Sequence, residues 1–278
     1  MKRYPILVFF SLLVYNQTIA QSAAATKPAA VTIVTRPTTR KLVWADEFNK
    51  PGLPDSTKWG YDVGGNGWGN NELQFYTKSR PENARIEGGN LIIEARKESY
   101  QGRNYTSARL LTQNTRTWTY GRMEVRAKIP AGRGTWPAIW MLNKNIAKVG
   151  WPLCGELDIM EEVGWDENVI HGTIHSAAYN HTIGTQKGAP ITIPTATSAF
   201  HVYAIDWTPT RIDFFVDNQN YYRVTTAELG TSPQQWPFTE PFFLLLNVAV
   251  GGGWGGQKGV DDTIWPRRME VDYVRVYQ

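Results

Sequence analysis

The sequence predicts an all-β protein, a jelly-roll β-sandwich of two stacked antiparallel sheets. Three observations point there. Short runs alternate apolar and polar residues with period two, Gly-, Pro- and Asn-rich breaks separate them, and no long amphipathic helix interrupts the pattern. A chain of 278 residues can spend most of its length on one such domain.

The elements follow in chain order. Lys2 and Arg3 precede an apolar run of ten, Ile6–Tyr15, and small residues follow at Thr18–Ala20. Ten residues are too few to span a bilayer, so 1–20 reads as a signal peptide and the mature protein is expected to be secreted or periplasmic. No Cys follows the run, so no lipid anchor is expected. Gln21–Arg40, rich in Ala, Thr and Pro, reads as a flexible leader, and 41–278 as the folded domain. Period-two strands are predicted at Asn90–Ala95, Gly121–Ile129, His201–Trp207, Arg211–Val216 and Val271–Tyr277. Trp207–Arg211 (WTPTR) reads as a tight connection. Phe242–Val250 is almost continuously apolar, as in a strand buried on both faces.

Composition excludes several classes. Without Lys2 and Arg3 the chain carries 27 basic and 25 acidic residues, with no basic cluster, so nucleic acid is not an expected partner. No second apolar stretch reaches membrane length. The single cysteine, Cys154, forbids an internal disulfide. Twelve Trp exceed ordinary core needs, and stacking on sugar rings is one common use of the excess.

The most informative stretch is Trp151–Glu162, WPLCGELDIMEE, which holds four carboxylates, Glu156, Asp158, Glu161 and Glu162. On a strand Glu156 and Asp158 share one face while Leu157 and Ile159 point into the core. Strict alternation would bring Met160 and Glu162 onto the carboxylate face. A single β-bulge after Asp158 would instead send Met160 inward and turn Glu161 outward, which suits an apolar side chain better. Strand spacing sets the outer Cα atoms roughly 13–16 Å apart at about 3.3 Å per residue. Bending and leaning side chains can bring the carboxyls toward the ~5–5.5 Å of a retaining glycosidase. Crowding would hold one of them protonated near neutral pH. The pattern leaves open catalysis, a Ca²⁺ site or a solvated acidic edge.

GELDIMEE at Gly155–Glu162 resembles the bulged active-site strand of glycoside hydrolase family 16, in the laminarinase-like form. Further segments resemble that subgroup in order: Trp44–Phe48 (WADEF), Trp68–Tyr76 (WGNNELQFY), Gly134–Met141 (GTWPAIWM), His171–His175 (HGTIH), Phe243–Gly252 (FLLLNVAVGG) and Val271–Tyr277. The resemblance covers about residues 42–278. It implies a concanavalin-like jelly roll with a β-glucan lying along the concave sheet. It implies Glu156 as nucleophile, Glu161 as acid/base and Asp158 as the assisting carboxylate. Lichenase-type members carry the glutamates four apart, where this chain has Met160. Trp136 and Trp140 look like sugar-stacking platforms, and His175, Asn70, Glu72, Asn247 and Trp254 look like other cleft residues. Packing and turn formation compete for each of these.

The resemblance also implies a structural Ca²⁺ held near Glu47, Gly89 and Asp272, with no cofactor for catalysis. The expected activity is retaining endo-β-1,3-glucan hydrolysis by a monomer without membrane partners. Mixed-linkage β-glucan, a galactan, and non-catalytic glucan binding are the alternatives.

Overall fold

The computed structural model describes residues 40–278, so the expected signal peptide and nearly all of the leader lie outside the described residues. In chain order the strands are β1 (Leu42–Asp46), β2 (Gly60–Asp62), β3 (Gln74–Tyr76), β4 (Ala84–Glu87), β5 (Asn90–Tyr100), β6 (Arg103–Ser107), β7 (Arg109–Leu111), β8 (Gly121–Lys128) and β9 (Thr135–Asn143). They continue with β10 (Glu156–Glu161), β11 (Val169–His175), β12 (Lys187–Thr192), β13 (His201–Thr208), β14 (Arg211–Val216), β15 (Gln219–Thr225), β16 (Phe242–Val250) and β17 (Arg267–Tyr277). Helix among the described residues is confined to single turns.

Two sheets stack as the all-β reading requires. One runs β15-β14-β13-β8-β17-β5-β6-β3, with β1 on β17 and β4 on β5; the other runs β12-β11-β10-β9-β16-β7-β2. The pairings are antiparallel except β3 with β6, which is parallel and departs from the expected pattern at the sheet edge.

The alternating strands put one face of each sheet into a common core. Val125, Tyr203, Ile205, Phe214 and Val274 from the first sheet meet Ile139, Met141, Leu157, Ile174 and Leu246 from the second. Each such side chain contributes about 1.5–3 kcal/mol relative to exposure. All nine residues of β16 are buried, as its unbroken apolar run predicts. β14 has the predicted bounds, and Pro209 and Thr210 make the tight connection to β13.

β13 runs one residue past its predicted end, to Thr208, and two strands extend by several residues. β5 continues through Arg96–Tyr100 and β17 begins at Arg267. In both extensions charged side chains dominate the sequence, so the apolar pattern is thin although the ladder continues: Arg267 pairs with Ala95 and Met269 with Ile93.

Candidate active site

The predicted bulge lies in β10. Against β9, Asp158 is opposite Trp140, Met160 opposite Ile139 and Glu161 opposite Ala138, with a register shift between Asp158 and Met160. Against β11 the ladder shifts between Asp158 and Glu161. Ile159 and Met160 both enter the core, and Glu161 joins Glu156 and Asp158 on the opposite face. Glu162, next in the chain, is fully buried and accepts a hydrogen bond from the Asn168 backbone N–H at 3.1 Å. Just beyond, Gly164 lets the chain pass close to the preceding loop: a Cβ there would collide with the Gly132 carbonyl, and its N–H donates to Thr135 at 2.9 Å.

Registers across the second sheet assemble the rest. One row reads Asp62, Arg109, Asn247, Ala138, Glu161, His171, Pro190. The row beside it contains Leu245, Trp140, Asp158 and Thr173, and the next contains Phe243, Leu142, Glu156 and His175. Side chains of one row share a face, which is why residues more than a hundred positions apart meet here.

His175 Nε2 lies 3.3 Å from Asp158 Oδ2 and 3.9 Å from Glu156 Oε1. Trp136 donates its indole N–H to Glu161 Oε1 at 3.0 Å, and Trp140 donates to Asn247 Oδ1 at 2.8 Å. Trp254 lies edge-on to Trp136 at 5.7 Å and to His171 at 5.0 Å. Glu72 is buried and accepts from Asn70 at 3.1 Å, Gln74 at 2.6 Å and Tyr76 at 3.2 Å. The ten residues expected to form the cleft thus fall into a carboxylate–His175 cluster, the Trp136–Trp254 pair, the Trp140–Asn247 pair and the Asn70–Glu72 pair.

All three central carboxyls are pushed above their ordinary range, and burial is the largest cause for each. For Glu156 the Asp158 charge adds to the rise, while His175 and Arg109 oppose it. For Glu161, His175 and the Trp136 N–H both favour the charged form, partly offsetting burial. The three carboxyls also crowd one another, so they titrate as a set rather than one by one. Burial also pushes His171 and His181 downward, toward neutral imidazoles.

Sequence reasoning missed several neighbours. Arg109 lies between two indoles, 4.6 Å from the Trp140 ring and 4.9 Å from Trp68, and pairs with Asp62 at 2.9 Å. Nothing in the Arg109–Leu111 segment marks it as part of the site, because its partners come from other strands. Trp151 approaches His181 at 5.0 Å and His175 at 6.0 Å. Its position at the head of the carboxylate motif was the available signal.

The residues expected near Ca²⁺ converge elsewhere, on the first sheet. Asp46 is opposite Val274 and Leu91 opposite Val271, so the ladders that end one residue before Glu47 and two residues after Gly89 both border the Asp272 segment of β17. β17 bulges against β8 between Val271 and Tyr273, which makes Asp272 the extra residue. Arg275 holds both Glu47 carboxylate oxygens, at 2.8 and 2.9 Å, leaving its backbone carbonyl as a donor. Asp272 engages Arg126 through Oδ2 at 2.6 Å, leaving Oδ1. Two carbonyls and one carboxylate oxygen are the hard-oxygen type of donor set that Ca²⁺ takes.

A β-sandwich with three crowded carboxyls and several indoles on one sheet face has the geometry of a glycoside hydrolase site. The family model of glycosyl hydrolases family 16 matches residues 71–275. A β-glucanase from Rhodothermus marinus is 58% identical over 244 residues, covering 86% of this chain and 85% of its own. The X-ray structure of the laminarinase from Rhodothermus marinus superposes with a TM-score of 0.85 at 57% identity, over 87% of this chain and 99% of that one. A non-specific endo-β-1,3(4)-glucanase from family GH16 gives 0.82 at 53%, over 87% and 92%. The chain belongs to glycosyl hydrolases family 16.

Proposed function

We propose that this protein is a secreted or periplasmic laminarinase-like endo-β-1,3-glucanase that cuts internal β-glucosidic bonds with retention of anomeric configuration. The observation that carries this reading is the β10 bulge, which gathers Glu156, Asp158 and Glu161 on one sheet face. Glu161, protonated, gives its proton to the glycosidic oxygen as a Glu156 carboxylate oxygen attacks the anomeric carbon. The carbon–oxygen bond breaks, one chain end leaves as an alcohol, and a glycosyl ester forms on Glu156. Water then loses a proton to the Glu161 carboxylate, attacks the same carbon and frees Glu156.

Asp158, two residues along β10 on the same face as Glu156, holds the nucleophile in orientation. The Trp136 N–H supports the anionic Glu161 needed in the second half. Ala138, the small residue between Trp136 and Trp140, leaves the floor open where a sugar would lie against the indoles. His175, Asn70, Glu72, Asn247 and Trp254 line the same cleft.

Mixed-linkage β-1,3-1,4-glucan is the second substrate reading, favoured by the 53% identity to an endo-β-1,3(4)-glucanase. Glu47, Gly89 and Asp272 would hold a structural Ca²⁺ away from the reaction, and the chain would act as a monomer. Chelation should then lower the melting temperature and leave the mechanism unchanged. The deciding experiment is product analysis on laminarin and lichenan with wild type and Glu156→Gln. Internal cleavage of laminarin that the variant abolishes supports the reading. A folded variant that keeps even about a tenth of wild-type turnover removes Glu156 as the nucleophile, because an amide cannot replace an attacking carboxylate.

A further inference from the structure

We propose that Glu156, Asp158 and His175 also form a binding site for a zinc-class divalent cation, and that the cation inhibits by occupying the groups the reaction needs. One donor atom from each residue lies within 4.8 Å of the others. His175 Nε2 is 3.3 Å from Asp158 Oδ2 and 3.9 Å from Glu156 Oε1. Zinc bonds nitrogen and carboxylate oxygen at about 2.0–2.2 Å, which sets tetrahedral donors roughly 3.3–3.6 Å apart. Small side-chain rotations therefore bring all three onto one ion.

A second observation points to a ligand. Asp158 is 2% exposed, and its Oδ2, aimed at His175 Nε2, has no hydrogen-bond partner. A buried acceptor without a partner is costly, and a cation there would satisfy it.

The donor types select the ion. One imidazole and two carboxylates suit zinc, copper or nickel, whereas Ca²⁺ and Mg²⁺ take all-oxygen shells. Three protein donors with the fourth position facing the cleft is an open coordination geometry. With the ion bound, the attacking lone pair of Glu156 is engaged in a metal bond, and the ion occupies space the sugar needs. Zinc and β-glucan then exclude each other. This inhibition rests on the hydrolase reading; the binding site does not.

The test is calorimetric titration of the protein with zinc chloride, with calcium and magnesium chlorides as controls, alongside laminarin hydrolysis at rising zinc. The expected result is one zinc per chain at this site. Asp158→Asn and His175→Ala should each weaken its binding by about tenfold or more, since even residues behind metal ligands carry effects of that size. Thermal melts establish that each variant folds, and displacement of zinc by a soluble β-1,3-gluco-oligosaccharide reports on the site in the unaltered protein. Zinc should raise the apparent KM for laminarin and leave kcat unchanged.

Zinc affinity of wild-type strength in both folded variants, or no zinc binding, overturns the site. Zinc bound there without any rise in KM overturns the inhibition. A protein that binds zinc as expected but does not cleave laminarin loses the proposed function and keeps the metal site.

Discussion

Replacing Glu162 with Gln should make the fold more stable at neutral pH and leave most activity intact. Glu162 is 0% exposed, one oxygen accepts the Asn168 N–H, and Oε2 has no hydrogen-bond partner. Burial is the main reason its carboxyl is pushed from 4.5 up to about 8. The folded protein therefore takes up a proton here that the unfolded chain has released. This destabilisation is absent below pH 4.5, grows as pH rises, and levels off above about pH 8. At about 1.36 kcal/mol per pH unit, its ceiling at pH 7 is about 3 kcal/mol. Gln keeps a carbonyl oxygen for Asn168 and needs no proton, so the variant escapes the cost.

Urea unfolding at pH 4, 5.5, 7 and 8.5 should show the two proteins nearly equal at the lowest pH, with the variant gaining steadily above it. A stability difference independent of pH, or a variant weaker at pH 7, would refute the argument. Laminarin turnover is the companion measurement. Glu162→Gln should stay near wild type, while Glu161→Gln should fall by about 10²–10⁴-fold, the usual worth of a positioned acid/base. Equal losses would mean that the β10 bulge does not separate the adjacent glutamates.

Other expectations follow from the same geometry. Trp136→Phe removes the N–H that favours ionised Glu161, so the alkaline limb of kcat against pH should move upward; an unmoved limb would detach Trp136 from the acid/base. Proton NMR in the first minutes of laminarin hydrolysis should show the β anomer forming first, and an early α anomer would contradict retention. The mature protein should begin at or near Gln21 and be found outside the cytoplasm, which N-terminal sequencing of exported material can check; an intact Met1 terminus on cytoplasmic protein would remove this expectation.

Local pattern alone was enough for much of this protein. Unbroken apolarity marked β16 as buried, and period two marked β8, β13 and β14, because side-chain alternation is a property of the strand itself. The bulge was legible for a similar reason: Met160 belongs in a core and Glu161 does not, so composition already opposed strict alternation. Tertiary structure decided what could meet across the sheet. Arg109 on β7 reaches Trp140 only because β16 pairs with both β7 and β9. Glu72 finds Gln74 and Tyr76 in its own segment, but Gln74 also accepts from the Val250 N–H, 176 residues away. The ends of β5 and β17 were hidden because charged, solvent-facing residues can continue a ladder without an apolar signature. A strand's own sequence shows which face each residue takes, but its neighbours are chosen by burial summed over the whole chain. The carboxylate motif could therefore be read from eight consecutive residues, while the place of Arg109 beside it was decided only by the registers of β7, β16 and β9.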